Sequence, residues 1–297
     1  MTHKMGKILC FLVSLLLLVT LVLNGCASKE GVITQTTTKV VTAEDILNNA
    51  VSAMGKVTTY KLDYDLSTNM EVTGKNAMKM NMNGGGPGVM DITNQKMQMS
   101  MDMNMTVPGI GTSEMNVKMS MEIYLFEGWV YTKMTIPGTE VQWIKTKNPD
   151  NITQDQVAQM TTLMKSSMKT TLTGTETING INCYVLEVTP DMGQLWQWLM
   201  SQQGNDLIGD IDYNQFDLSK IIKSFGLKYW IDKNNYQILQ AEADMNMLID
   251  AQTVGAATEE FDSMTMIMTM NMSFFDYNKA VNVELPAEAA NAQEISP

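Results

Sequence analysis

The chain contains no arginine; lysine supplies all 20 of its basic residues. Its single histidine is His3, at the very start. Beyond residue 26 there is one cysteine, Cys183. These absences exclude whole classes of chemistry. Without histidine in the body of the chain there is no imidazole to act as general base, triad member or metal ligand. Without a guanidinium there is no planar fork for bidentate capture of phosphate or carboxylate. Acidic residues number 32 and the formal net charge is −12, which repels nucleic acid and anionic lipid headgroups. No activated nucleophile is visible. The chain therefore reads as a non-enzyme with no cofactor, no metal and no nucleic-acid partner, and a hydrolase is the most remote of its readings.

What is present begins at the N-terminus. Lys4 and Lys7 precede an apolar run over residues 8–23 that only Ser14 and Thr20 interrupt. That is the length of a secretory core segment and short for a membrane span. The following Leu23-Asn24-Gly25-Cys26 resembles the bacterial lipobox. Residues 1–25 are read as a removable signal peptide and Cys26 as the lipidation site. The processed chain is then lipid-anchored to the cell membrane on its extracytoplasmic side. An uncleaved signal anchor with an incidental cysteine is the alternative. Each buried lipid methylene contributes roughly 0.8 kcal/mol, so two or three acyl chains hold a protein firmly. Losing Lys4 and Lys7 leaves 32 acids against 18 lysines, so attachment must come from the anchor and not from a basic face. Cys10 departs with the signal and Cys26 carries lipid. Cys183 is left alone, with no intrachain disulfide possible and a buried apolar role expected.

Residues 26–42 form an expected flexible tether, residues 43–287 the folded domain and residues 288–297 a C-terminal tail. Thr42, with Asp45 three residues on, predicts a helix N-terminus. Ile46, Leu47, Ala50, Val51 and Met54 follow at helical spacing, and Gly55 is a plausible stop. The period then changes to two. Tyr60, Leu62, Tyr64 and Leu66 alternate with polar residues, as do Met97 to Met105 and Met115 to Leu125 at every second position. Gly84-Gly85-Gly86-Pro87-Gly88 reads as a turn or loose loop, and it lacks the Lys-Ser/Thr of a phosphate loop. Helices are expected after Thr153, after Pro190 (with Leu195, Trp196 and Leu199) and after Asp217 (with Ile221 and Ile222). Asn179-Gly180 predicts a hairpin turn. A last long strand carries Met264, Met266, Met268, Met270, Met272 and Phe274 on one face.

This order of elements, with the lipobox, the opening helix Glu44-Asp45-Ile46-Leu47-Asn48-Asn49-Ala50, Tyr60-Lys61-Leu62-Asp63 and the closing Val283-Glu284-Leu285-Pro286, resembles the LolA-like lipoproteins. That group includes the LppX/LprG-type lipid carriers. The resemblance is one of pattern over residues 43–287, and no catalytic motif defines the group. It implies an α+β fold: a large curved antiparallel β-sheet, a half-barrel, with helices packed on its concave face. It also implies a lipid or lipoprotein acyl chain as ligand. LolA itself is soluble, so a tethered relative fits a receptor or sensor better than a shuttle.

Methionine is 29 of 297 residues, and its placement on successive positions of one strand face decides its meaning. β-Branched residues are the usual strand choice. Thioether chains are unbranched and adapt to guests of varied shape. Three readings remain open. Methionine could stand in for Leu and Val in a closed core. It could line a cavity for acyl chains. It could bind Cu(I), which alternate positions roughly 7 Å apart along a strand and the lack of His disfavour. The second reading names Met99, Met101, Met103, Met119, Met121, Met266, Met268 and Met270 as the wall, with Trp196 and Leu199 as a lid. Its alternative is an envelope interaction or sensing module with a packed core and no ligand.

Overall fold

Alternation with period two dictates most of the architecture. The computed structural model describes residues 41–75, 77–107, 115–147, 168–191, 193, 221–250 and 262–295. Helix α1 (Ala43–Met54) comes first. Six strands follow: β1 (Thr59–Thr73), β2 (Met78–Asp91), β3 (Lys96–Val107), β4 (Met115–Phe126), β5 (Trp129–Thr135) and β6 (Gln142–Lys147). The rest are β7 (Met168–Ile178), β8 (Ile181–Pro190), β9 (Ile222–Asp232), β10 (Ile238–Asp250), β11 (Ser263–Phe275) and the short β12 (Gln293–Glu294). The class is α+β with one large sheet, as expected. Its hydrogen-bonded order is β12-β6-β5-β4-β3-β2-β1-β11-β10-β9-β8-β7. The first strand thus pairs with the eleventh, and a meander runs outward on each side of that seam. The β1–β2, β2–β3, β3–β4, β4–β5, β5–β6, β7–β8, β10–β11 and β1–β11 ladders are antiparallel, and β12 pairs with β6 in parallel.

The chain divides into two compact units. One comprises Met1–Val57, Ile152–Ile211 and Trp230–Ile238. Within it α1 begins at a complete capping box: the Thr42 hydroxyl accepts from the Asp45 N–H, and the Asp45 carboxylate accepts from the Thr42 N–H. These bonds satisfy donors that the first helical turn leaves open. Ile46, Ala50 and Met54 form its buried stripe, and the helix lies against β7 and β8. Asn179 and Gly180 both take positive φ, 49° and 81°, as a two-residue hairpin turn of primed type requires. Cys183 on β8 is fully buried, its thiol pushed up by burial and then by the nearby Asp232 carboxylate. The Trp230 indole N–H donates to Glu176 at 2.8 Å.

The other unit comprises Thr58–Asn151, Asp212–Tyr229 and Leu239–Pro297. It holds β1 to β6, β11, β12 and most of β9 and β10. Tyr60 packs its ring edge against Phe274, with Tyr277 on another side. On β4 the Glu122 carboxylate is subject to burial, which raises its pKa. Hydrogen bonds from Lys133 at 2.7 Å and Tyr124 at 2.6 Å outweigh that and hold it below the usual range. The stretch read as a tail carries a 3-10 helix (Ala287–Asn291) with Ala289 buried, and then β12.

Several local expectations give way. The Gly84–Gly88 run is not a turn; it lies in the middle of β2. Ile222 opens β9 instead of continuing a helix, and Pro190 ends β8 instead of starting one. The helices expected from Thr153 and within 194–220 fall outside the described residues. So do Cys26, Trp196 and Leu199.

Candidate functional site

The site residues predicted on β3, β4 and β11 all belong to the second unit, and the strand registers put them on one face. Directly paired residues on neighbouring strands share a face. Met270 pairs with Leu66, Leu66 with Gly84, Gly84 with Met103, and Met103 with Met119. One row away, Met268 pairs with Thr68, Thr68 with Met82, and Met82 with Met105. In the next row Met247, Met266, Met70 and Met80 follow one another across four strands. Met101 faces Met121, and Met99 faces Ile123. The structure thus brings the eight methionines onto a single wall. It does not bring them into one cluster: β11 and β3 stand three strand spacings apart, roughly 14 Å.

β1 and β2 fill the gap, and sequence reasoning missed what they bring. Met78, Met80 and Met82 alternate in phase with Met90 across the glycine run, a signal of a continuous strand that the run itself obscures. Met245 and Met247 on β10 also join the wall and are buried. None of the positions on this face, from Tyr60 to Val72, Met97 to Val107 and Met264 to Phe274 at every second residue, is charged.

The glycines serve close approach. A Cβ on Gly84 would lie 2.7 Å from Met103 Cγ, and one on Gly88 would lie 2.7 Å from Leu62 Cδ2. On Gly86 it would fall inside the Ser100 carbonyl oxygen, and on Gly85 inside that of Tyr64. The β2–β3 ladder keeps one register on either side of Gly86-Pro87, which sets Pro87 level with Ser100. Pro87 has no N–H to give the ladder. The Ser100 carbonyl instead receives the Tyr64 hydroxyl at 3.0 Å, so the Tyr64 ring crosses β2 where that strand carries no side chain. Burial pushes the Tyr64 phenol up to about 12, which keeps it a donor at any ordinary pH. Tyr64→Phe is expected to lower stability by about 1–3 kcal/mol, the cost of leaving a buried carbonyl unpaired. A urea melt with an unchanged midpoint would show that the bond contributes nothing.

Exposure divides the wall. Met99, Met101, Met121, Met266, Met268 and Met270 are buried, with Met270 only 1% exposed. Met70, Met80, Met82, Met103, Met105 and Met119 are half-buried, and their pairings make them contiguous. Thr68 stands at the border of the two zones. It is 7% exposed, and its hydroxyl has no hydrogen-bond partner among the described residues. Among those residues there is also no cluster of three or more His, Cys, Asp or Glu side chains placed to hold a metal.

A large, mainly antiparallel sheet with an apolar wall on one face defines the class. The profile of DUF6612, a family of unknown function, matches residues 42–294, and the chain belongs to that family. No curated protein matches the chain. Among solved structures it is similar to the Mycobacterium tuberculosis lipoprotein LppX, at 10% identity over 82% of this chain and 98% of that one, with a TM-score of 0.34. It is also similar to a LolA superfamily protein from Nitrosomonas europaea, at 11% identity over 84% and 97% of the two chains, with a TM-score of 0.21. A DUF1329 family protein from Desulfovibrio piger matches at 12% identity over 82% and 93%, with a TM-score of 0.24.

Proposed function

We propose that this protein is a membrane-anchored extracytoplasmic lipoprotein that binds a lipid or lipoprotein acyl chain, as carrier or receptor, without enzymatic turnover. The observation that carries the reading is the contiguous half-buried methionine zone on β1 to β4, beside the buried part of the same wall. An accessible apolar surface of that kind marks a binding site more often than a closed core. Methionine suits a guest of variable shape because its unbranched chain re-packs with little strain. Burial of alkyl surface would contribute roughly 25 cal/mol per Å².

The anchor completes the reading. Lipid on Cys26, at the start of the processed chain, would hold the domain close to a bilayer. The residues between Cys26 and Thr42 span at most about 55 Å when extended. A wall tethered at that distance meets lipid at high local concentration.

The test is native mass spectrometry of the processed full chain extracted gently from membranes. The expected result is a copurifying lipid species that is lost when Met82 and Met103 are both changed to Asp. An empty protein that also takes up no added acyl ligand would favour the second reading, a sensing or interaction module. That reading draws on the same wall: its buried part, Met266 to Phe274 with Met245 and Met247, is covered like a packed core.

A further inference from the structure

Thr68 is the one polar residue among the β1 positions that face the wall between Leu62 and Val72, apart from Tyr64, whose hydroxyl is bonded to Ser100. Its neighbours on the strand are Leu66 and Met70, and its cross-strand partners are Met82 and Met268. A hydroxyl in such surroundings normally donates to a carbonyl, because leaving it unpaired costs about 1–3 kcal/mol. Here its oxygen is buried and no partner exists among the described residues. Valine has the same shape and would avoid that cost, so the hydroxyl is a liability in the ligand-free protein.

We infer that the Thr68 hydroxyl is the hydrogen-bond donor for the carbonyl oxygen of a neutral acyl ester bound against the methionine wall. The inference rests on the acyl-binding reading and narrows it to a ligand class. One unbonded hydroxyl flanked on its strand and across it by apolar side chains matches a ligand that is alkyl along its length and carries a single acceptor. A free carboxylate fits poorly. The wall positions hold no lysine, the chain has no arginine, and a buried carboxylate with no cation is strongly disfavoured. A plain hydrocarbon would leave the hydroxyl unsatisfied.

The experiment uses the processed full chain and measures displacement of a fluorescent apolar probe by methyl palmitate, hexadecane and palmitate. Wild type is expected to bind methyl palmitate about 3- to 10-fold more tightly than hexadecane, the worth of one net hydrogen bond. Palmitate anion should bind no better than the ester. In Thr68→Val the ester preference should disappear while hexadecane binds as before. Thr68→Ser, which keeps the hydroxyl, should retain it. Ligand-free Thr68→Val should melt at or above the wild-type temperature; a clear drop would mean that the hydroxyl already has a structural partner and would overturn the proposal. An ester preference undiminished in Thr68→Val would overturn it equally, while leaving acyl binding intact. If wild type binds neither ester nor hydrocarbon, the acyl-binding reading falls and this assignment falls with it.

Discussion

Gly86→Ala is expected to lower stability by about 3 kcal/mol or more, whereas Gly226→Ala should leave it unchanged or raise it by up to about 1 kcal/mol. Both glycines lie inside strands. Their surroundings differ. A methyl group on Gly86 would collide with the Ser100 carbonyl oxygen, a backbone atom that cannot move without parting β2 from β3. At Gly226 on β9 none of the described residues lies within 4 Å of the added carbon, so the substitution mainly removes unfolded-state freedom. A loss of that size at Gly86 also reaches the tyrosine bridge, because the Tyr64 hydroxyl bonds the same carbonyl. Thermal melts of the processed chain should show Gly86→Ala lower by roughly 6–12 °C for a domain of this size. Equal melting of the two variants would mean that β2 and β3 are not held as closely as the structure has them.

The second large effect separates the two zones of the wall. Met270 is almost wholly enclosed, between Leu66 on β1 and Ala243 on β10. Truncating it leaves a cavity among side chains that cannot collapse, and Met270→Ala should cost about 2–5 kcal/mol. Met103 is half-buried at the accessible zone, so Met103→Ala should cost about 1 kcal/mol or less. On acyl binding the order reverses. Met103→Ala should weaken methyl palmitate about 5-fold, through loss of roughly 1 kcal/mol of apolar contact, while Met270→Ala acts mainly on stability. Urea titrations with and without ligand read both quantities on the same samples. If the two variants lose stability equally and binding is unmoved in both, the accessible zone is ordinary core and the sensing-module reading gains.

The extent to which the fold was legible follows from the range of the forces involved. Period-two alternation is local, and it located β3, β4 and β11 correctly. The capping box at Thr42 and the Asn179-Gly180 turn were equally readable, because each is closed by residues within four positions of one another. The glycine run was misread for a physical reason. Taken alone, glycine signals backbone freedom and hence a turn. In β2 it supplies the absence of a side chain, and what needs that absence is Tyr64, Leu62 and Met103 on two other strands. The phase of Met78, Met80 and Met82 with Met90 carried the missing information.

The candidate site was legible as a list of residues and not as a surface. Alternation placed Met99, Met101 and Met103 on one side of their strand and Met266, Met268 and Met270 on one side of theirs. It could not say that the two sides coincide, since that depends on β1 pairing with β11 some 200 residues away along the chain, as Leu66 does with Met270. Nor could it rank the methionines by exposure. By itself the sequence determined the polarity of each strand and the chemistry of its apolar face, because side-chain direction in an extended chain depends only on residue parity. Only the tertiary structure decided which faces adjoin, which thioethers stay half-buried and that the Thr68 hydroxyl has no partner among the described residues, because those depend on contacts between segments distant in sequence.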